Sequence, residues 1–283
     1  MILVFGSTGK VGRELVPALL DRGASVRAVT RDPSLARVDP RAEVVAGDLE
    51  VPESLPSLFD GVDRVFLLVS GRGGDGLAQE RSALAAAAHA GVAHVVKLST
   101  TGVHFGQQDG ISLLHAEAEQ AVRAAGPAWT ILRPTTFMDN RYAWQKSVIA
   151  ENTVYITAGE ADSAMVHVRD IAEVAALVLT TDGHEGRTYP LTGGEAVSSR
   201  RQVEILAEAL GRPLKYVEEP EAATRERMLG FGWPASSVDG MFALKRESAE
   251  YEKVVFDTVE RLLGRAPLTF ADWAREKAPF FTA

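Results

Sequence analysis

The chain has 283 residues, of which 46% are hydrophobic, 24% are charged and none is cysteine. With 38 acidic against 30 basic side chains, its formal charge of -8 argues against a surface that binds the phosphate backbone of nucleic acid. The absence of cysteine excludes disulfides, thiolate catalysis and cysteine-ligated metals. The sequence shows no signal peptide and no apolar run of membrane-spanning length, so we expect a cytoplasmic protein that binds neither nucleic acid nor membrane.

Residues 1–133 alternate short apolar runs with longer helical patterns. Several of the runs lack period-two alternation, which is typical of strands buried on both faces of a sheet. Repeated strand–helix–strand units need crossover connections and therefore predict an α/β fold with a doubly wound parallel sheet. The predicted strands are Ile2–Phe5, Ser25–Val29, Glu43–Ala46, Arg64–Val69, His94–Leu98 and Trp129–Leu132, with helices after Val11, over Leu77–Ala90 and over His115–Ala125.

The regular alternation ends after residue 134, where helical patterns dominate. This change predicts a smaller, helix-rich C-terminal lobe. We expect residues 1–138 to form the doubly wound domain, with residues 166–182 returning to it, and residues 139–165 and 183–283 to form the lobe. The predicted helices here are Asn140–Asn152, Ile171–Leu179 and Ser199–Leu210, and the predicted strands are Val154–Thr157, Arg187–Leu191 and Leu214–Glu218.

A glycine-rich turn, Gly6-Ser7-Thr8-Gly9-Lys10-Val11-Gly12, directly follows the first strand and opens a helix. The first glycine permits the turn, the second lets the backbone approach a pyrophosphate, and the third allows close packing of helix on strand. Backbone N–H groups and the helix dipole favour an anion at such a place. The turn therefore predicts a dinucleotide site, with an ordinary strand-to-helix turn as the alternative. A Walker P-loop is disfavoured because Val11 follows Lys10 where Ser or Thr would hold magnesium.

Further motifs follow in order: Gly47-Asp48-Leu49, Lys97-Leu98-Ser99-Thr100, Ile131-Leu132-Arg133-Pro134, Val168-Arg169-Asp170-Ile171-Ala172 and the tail from Leu263 to Trp273. With the glycine spacing G-x-x-G-x-x-G, this set resembles the NmrA-like family, an atypical branch of the short-chain dehydrogenase/reductase superfamily. The resemblance covers essentially the whole chain. It implies a Rossmann fold and an oxidoreductase that uses a nicotinamide cofactor.

The end of the second strand bears on the choice between NAD and NADP, because it lies beside the adenosine ribose. Arg31 can bind a 2′-phosphate and Thr30 can add a hydroxyl bond, so we expect NADP(H) in preference to NAD(H). Asp32 either faces the ribose, where it would repel the phosphate, or caps the following turn. By resemblance, Asp48 and Leu49 contact the adenine. The full set of expected cofactor-binding residues is Gly6, Ser7, Thr8, Gly9, Lys10, Val11, Gly12, Thr30, Arg31, Asp48, Leu49, Val69, Ser70, Lys97, Pro134 and Phe137.

The catalytic Tyr/Lys pair of active short-chain reductases is missing. By resemblance the Tyr falls on Ile111 and the Lys on His115, and no tyrosine precedes Tyr142. His115 is the candidate proton donor because the ordinary pKa of histidine is close to neutrality, although a partly exposed helix histidine is an equal alternative. Ser99 and Thr101 are the candidate catalytic hydroxyls. We expect no metal, because His115 and the residue one turn on would be only two ligands.

Apolar and aromatic residues near the lobe predict a site for a flat, aromatic or conjugated small molecule. The expected substrate-binding residues are His104, Phe105, Met138, Tyr142 and Trp144. The leading hypothesis is an NADP(H)-dependent oxidoreductase that transfers hydride to a carbonyl, a quinone or another conjugated, polyketide-like compound without the Tyr/Lys pair. One alternative is a non-catalytic NAD(P)-sensing regulator that acts through a protein partner. A second is an epimerase or dehydratase on the same fold. A homodimer is left open.

Overall fold

The computed structural model describes residues 1–68, 75–157 and 161–282, and the elements below refer to those ranges. The strands are β1 (Ile2–Val4), β2 (Val26–Thr30), β3 (Glu43–Ala46), β4 (Arg64–Leu67), β5 (His94–Leu98), β6 (Ala128–Pro134), β7 (Thr153–Thr157), β8 (Arg187–Leu191) and β9 (Lys215–Glu219). The α-helices are α1 (Gly12–Asp21), α2 (Gly76–His89), α3 (Thr101–His104), α4 (Gly110–Ala124), α5 (Gln145–Glu151), α6 (Val168–Thr180), α7 (Ser199–Leu210), α8 (Glu221–Gly230), α9 (Ala235–Ser248), α10 (Thr258–Leu263) and α11 (Phe270–Lys277).

Seven strands form one sheet in the order β3-β2-β1-β4-β5-β6-β8, and every neighbouring pair is parallel. The chain winds outward from β1 to one edge and then, from β4, to the other. The order therefore reverses between β1 and β4, where open α/β sheets bind their ligands at the carboxyl ends of the strands. The predicted doubly wound parallel sheet is confirmed.

Apolar side chains cover both faces of this sheet. Along β1, Ile2 and Val4 belong to one buried cluster, whereas Leu3 and Phe5 belong to the other. This division follows from the alternation of side chains along a strand. On the first face α1 packs against α6, and elsewhere α2 packs against α4. The uninterrupted apolar runs in the sequence are thus the strands of a sheet with two dry faces.

A third buried cluster lies in the C-terminal part of the chain, around α7, α11 and a two-stranded parallel sheet of β7 and β9. Trp273 is its largest fully buried side chain, and its indole Nε1 donates a hydrogen bond of 2.8 Å to Asp139 Oδ1. The strand β8 pairs with β6 in the large sheet, although the predicted boundaries gave these residues to the lobe. The division into two domains stays a prediction. In the ranges that the structure describes, no helix combines the length and the apolar character needed to cross a membrane.

Candidate cofactor and substrate site

In the glycine-rich turn, backbone atoms of the three glycines lie in close contact with one another. Gly6 has a φ of 69°, in the left-handed region that favours glycine, and its carbonyl accepts a 2.9 Å hydrogen bond from Gly9 N. A Cβ on Gly12 would lie 2.1 Å from Gly6 O, so α1 can start against the turn only with glycine there. A glycine-rich turn at a helix N-terminus has the backbone donors and the space that a dinucleotide pyrophosphate requires.

Two polar residues of the turn, Ser7 and Lys10, have structural partners. Ser7 is buried, and its hydroxyl donates a 2.6 Å bond to Val29 O, which ties the turn to β2. Lys10 Nζ lies 3.3 Å from Asp139 O and 3.2 Å from Asn140 Oδ1. Lys10 therefore bridges the glycine turn and the segment that follows β6, across the carboxyl edge of the sheet.

At the end of β2, the structure separates the two roles considered for Asp32. Asp32 Oδ1 accepts hydrogen bonds from Ser34 N at 2.9 Å and from Ser34 Oγ at 2.6 Å, so Asp32 closes the turn. The Ser34 hydroxyl, with the Ser34 amide, lowers the pKa of Asp32. Arg31 is exposed and makes no side-chain bond to any residue in the described ranges. The Arg31 guanidinium is therefore exposed at the carboxyl end of β2.

The segment after β3 also bends closely against its neighbours. A Cβ on Gly47 would lie 2.5 Å from Leu58 Cδ1 and 2.9 Å from Val29 Cγ1. Asp48 Oδ1 accepts a 3.0 Å bond from Glu50 N, and the second carboxylate oxygen has no partner in the part of the chain that the structure describes. Leu49 is half-buried against the core. Two further expected cofactor contacts, Val69 and Ser70, lie outside the described residues.

A cleft of about 260 Å³ opens at the carboxyl ends of β5 and β6, beneath α9 and the turn that follows it. Phe105 and Tyr251 stack in this cleft, with ring centroids 4.5 Å apart and an angle of 12° between the ring planes. Pro134 and Phe137, two of the expected cofactor contacts, also line it. The lining of the cleft is Ser99, Thr100, Thr101, Gly102, Phe105, Gln107, His115, Pro134, Thr135, Thr136, Phe137, Asn140, Leu244, Ser248, Tyr251 and Glu252.

Of the hydroxyls at the end of β5, that of Ser99 already donates its hydrogen bond within the protein. Ser99 Oγ donates a 2.6 Å bond to Glu119 Oε1, and the same carboxylate receives Arg133 Nε at 2.8 Å and Arg123 at 2.8 Å. Burial raises the pKa of Glu119, but the Arg133 and Ser99 bonds outweigh it and leave the pKa lowered. Contrary to expectation, Ser99 therefore does not offer its proton to a substrate oxygen. Thr101 lines the cleft with no side-chain bond to another described residue.

His115 and Lys97 differ from the sequence expectation. Burial, and then the positive charge of Lys97, lower the pKa of His115 to about 4, so the imidazole is neutral at pH 7. The expectation that His115 has an ordinary, near-neutral pKa, on which its role as proton donor was based, is therefore wrong. Lys97 is fully buried and its Nζ lies 3.0 Å from Glu80 Oε2, so its ammonium points into the interior and not toward the exposed edge where a cofactor would lie.

Among the expected substrate-binding residues, only Phe105 lines the cleft. His104 is its exposed neighbour and packs edge-on against Phe105 and Phe256. Tyr142 instead packs against Trp273 and Phe280. Met138 and Trp144 are only 3% and 7% exposed, within the core of the C-terminal part. These residues were assigned from their apolar character, which serves a core as well as a ligand.

Sequence reasoning missed the residues that α9 and the following turn bring to the cleft. Tyr251 and Glu252 are more than 110 residues from His115 along the chain and belong to no motif. Glu252 Oε1 accepts bonds from Thr136 Oγ1 at 3.0 Å and from Ser248 Oγ at 3.2 Å, so its carboxylate is fixed at the cleft wall. No local pattern predicts these positions, because the packing of α9 and of the turn after it brings them to the cleft.

The strand order and the glycine turn define a Rossmann-type protein that binds a nicotinamide dinucleotide. The chain belongs to the NAD(P)H-binding family, whose model matches residues 6–182. It is 39% identical to a (4-alkanoyl-5-oxo-2,5-dihydrofuran-3-yl)methyl phosphate reductase of Streptomyces griseus, over 99% of each chain. It is 35% identical to an NAD(P)H azoreductase of Xenophilus azovorans, over 100% of each chain.

Among solved structures, the triphenylmethane reductase of Citrobacter sp. matches with a TM-score of 0.86 at 23% identity, over 98% of this chain and 100% of that one. The fold is therefore shared with atypical short-chain reductases, and the resemblance to the NmrA-like family is confirmed. The protein is an NAD(P)H-dependent oxidoreductase.

Replacement of Gly12 tests the turn. In Gly12→Ala the new Cβ must displace Gly6 O, so we expect NADPH affinity to fall at least about tenfold and the free energy of unfolding to fall by about 1–3 kcal/mol. Calorimetric titration and thermal unfolding measure the two effects. Gly240→Ala is the matched control, because a Cβ at Gly240 in α9 meets nothing within 4 Å. Native NADPH affinity in Gly12→Ala would contradict the assignment.

Proposed function

We propose that the protein is an NADPH-dependent reductase of uncharged, conjugated carbonyl compounds, with quinones as the best-fitting class. The observation that carries the proposal is the aromatic-walled cleft at the carboxyl ends of β5 and β6, on the same sheet edge as the glycine turn. The Phe105–Tyr251 stack gives this cleft a flat apolar wall suited to a planar ligand. The relatives from Streptomyces and Xenophilus are reductases by name, which favours an enzyme over a cofactor-sensing regulator.

His115 supplies the polar contact to the substrate in this proposal. Its neutral imidazole borders the cleft and donates its N–H to the substrate carbonyl oxygen, with the Thr101 hydroxyl as a second donor. When bound, the reduced nicotinamide supplies a hydride, which carries two electrons and one proton. The second proton reaches the oxygen from solvent through the open cleft. A quinone thus becomes a hydroquinone, and His115 stabilises the charge on the oxygen until that proton arrives.

Glu252 sets the charge preference of the cleft. Its carboxylate is fixed by Thr136 and Ser248, and none of the lining residues that the structure describes is Lys or Arg. A phosphate or sulfonate on the substrate would meet a negative charge in a partly buried place. We therefore infer that this protein prefers uncharged substrates, unlike the Streptomyces relative, whose name gives a phosphate ester as its substrate.

The activity is tested with 1,4-naphthoquinone and NADPH, by the loss of NADPH absorbance. His115→Phe removes the donor from the cleft, so we expect kcat to fall about 10-fold to 100-fold while NADPH affinity is kept. His115→Gln, which retains an N–H donor, serves as the matched variant and should keep most of kcat. If the protein binds NADPH but oxidises it with none of a panel of quinones, enones and azo compounds, the proposal is wrong.

The charge preference is tested with 1,4-naphthoquinone and its 2-sulfonate. We expect kcat/KM to be at least about tenfold higher for the uncharged quinone, and Glu252→Gln to narrow this ratio because the amide keeps the shape but removes the charge. The narrowing should weaken as salt is added. An equal preference for the two quinones in the native protein would refute the role of Glu252.

The preference for NADPH is tested at Arg31. A guanidinium bond to phosphate is charge-assisted, so we expect Arg31→Ala to raise the KM for NADPH about 10-fold to 100-fold and to leave that for NADH unchanged. Arg22→Ala, an exposed change at the far end of α1, controls for net charge. Equal effects of Arg31→Ala on the two cofactors would show that Arg31 does not read the 2′-phosphate.

A further inference from the structure

A row of three titratable side chains leads from the protein interior to the cleft. Glu80 on α2, Lys97 on β5 and His115 on α4 form it. Lys97 Nζ lies 3.0 Å from Glu80 Oε2, 2.9 Å from Leu98 O and 3.5 Å from His115 Nδ1. Glu80 is 2% exposed and Lys97 is fully buried, whereas His115 borders the cleft. Neither Glu80 nor Lys97 touches the space where a substrate would lie.

The partners of Lys97 Nζ bear on its charge. An ammonium has three N–H donors and no acceptor, and the three neighbours of Lys97 Nζ are a carboxylate, a backbone carbonyl and an imidazole nitrogen. A charged Lys97 can donate to all three, whereas a neutral amine has two N–H donors and would have to accept its third contact from an Nδ1–H of His115. The Glu80 carboxylate, 3.0 Å away, favours the charged form. Burial lowers the pKa of Lys97 and raises that of Glu80, and the attraction between the two charges offsets each shift only in part.

Glu119, the other carboxylate beside this row, is not available to Lys97 as a direct partner. It receives Arg133, Arg123 and Ser99. Asp109, the remaining acid that influences His115, caps α4 through bonds from Ile111 N and Ser112 N. Glu80 is therefore the counter-ion of Lys97 within the described ranges.

A charged Lys97 has a direct consequence for the imidazole. Nδ1 of His115 must be an acceptor toward the ammonium, so the proton of the neutral ring is on Nε2. Nε2 has no partner among the residues that the structure describes, whereas Nδ1 faces the interior. We propose that Glu80 and Lys97 are positioning residues that hold His115 in its Nε2–H tautomer and so present an N–H donor, rather than a lone pair, to the substrate oxygen.

This inference rests on the proposed function, because only a substrate with an oxygen or nitrogen acceptor makes use of the donor. The opposite tautomer would place a lone pair against the carbonyl oxygen, which repels it. A purely structural ion pair between α2 and β5 would stabilise the fold but would be indifferent to which imidazole nitrogen carries the proton. The tautomer itself is therefore the deciding measurement.

The experiment is nitrogen NMR of the full chain labelled with ¹⁵N-histidine, in the presence of NADP⁺. The test variant is the double substitution Lys97→Met with Glu80→Gln, which removes both charges at similar side-chain size and leaves no unpaired buried ion. His94, whose Nε2 lies 2.8 Å from Thr130 Oγ1, gives an internal reference for an intact fold.

We expect His115 to carry its proton on Nε2 in the native protein and to show a clear fraction of the Nδ1–H form in the double variant, with the His94 signals unchanged. With 1,4-naphthoquinone, kcat should fall about tenfold in the double variant, while the KM for NADPH changes less than about twofold. An Nδ1–H form in the native protein, or an unchanged Nε2–H form in the double variant, would overturn the inference.

The NMR result also separates this inference from the proposed function. A protein that reduces no quinone but shows the expected tautomer change refutes the reductase proposal and supports the role of Glu80 and Lys97 in fixing the ring. A protein that reduces quinones but keeps its tautomer in the double variant refutes that role alone.

Discussion

The burial of both faces of the parallel sheet is the constraint on which the rest of this structure depends. Because helices cover each face, the strands offer no open surface to a ligand, and chemistry is confined to the edge where the strands end. The strand order reverses between β1 and β4, so the glycine turn is at the middle of that edge. The cleft is farther along the same edge, at the ends of β5 and β6.

Along this edge, backbone atoms form the glycine turn, whereas side chains form the cleft. At the turn, Gly12 packs so closely on Gly6 O that no side chain fits there. The Ser7 hydroxyl holds the turn to β2 by its bond to Val29 O. At the cleft the reverse holds, since Phe105, His115 and Glu252 give the lining its shape and charge. A pyrophosphate is common to all nicotinamide cofactors, so backbone is sufficient to bind it. Choice among substrates needs side chains.

The features that could be predicted from the sequence are those formed by residues close together in the chain. The glycine turn and the apolar strands are local in this sense, whereas the role of Arg31 as a phosphate ligand stays a prediction. The hydrogen bond from Ser99 to Glu119, which is 20 residues away, could not be predicted, because the sequence does not show which hydroxyl at a strand end meets a carboxylate. The pKa of His115 depends on burial and on Lys97. The position of Tyr251 depends on how α9 packs. Met138 and Trp144 are part of a buried cluster, because core and ligand pocket use the same apolar residues, and their role toward a substrate stays a prediction.

The missing Tyr/Lys pair has a different meaning once the cleft is built. Ile111, where the resemblance places the tyrosine, is 52% exposed and does not line the cleft, whereas His115, one turn later, does. A lysine is also present, but it comes from β5 instead of α4, since Lys97 reaches His115 from the interior. In the proposed mechanism the two parts of the pair, a donor toward the substrate and a positive charge behind it, are thus retained with new residues. A neutral imidazole backed by a charge is a hydrogen-bond donor and not a strong acid, which suits acceptors such as quinones, because their reduced oxygens need less help from an acid than a simple ketone does.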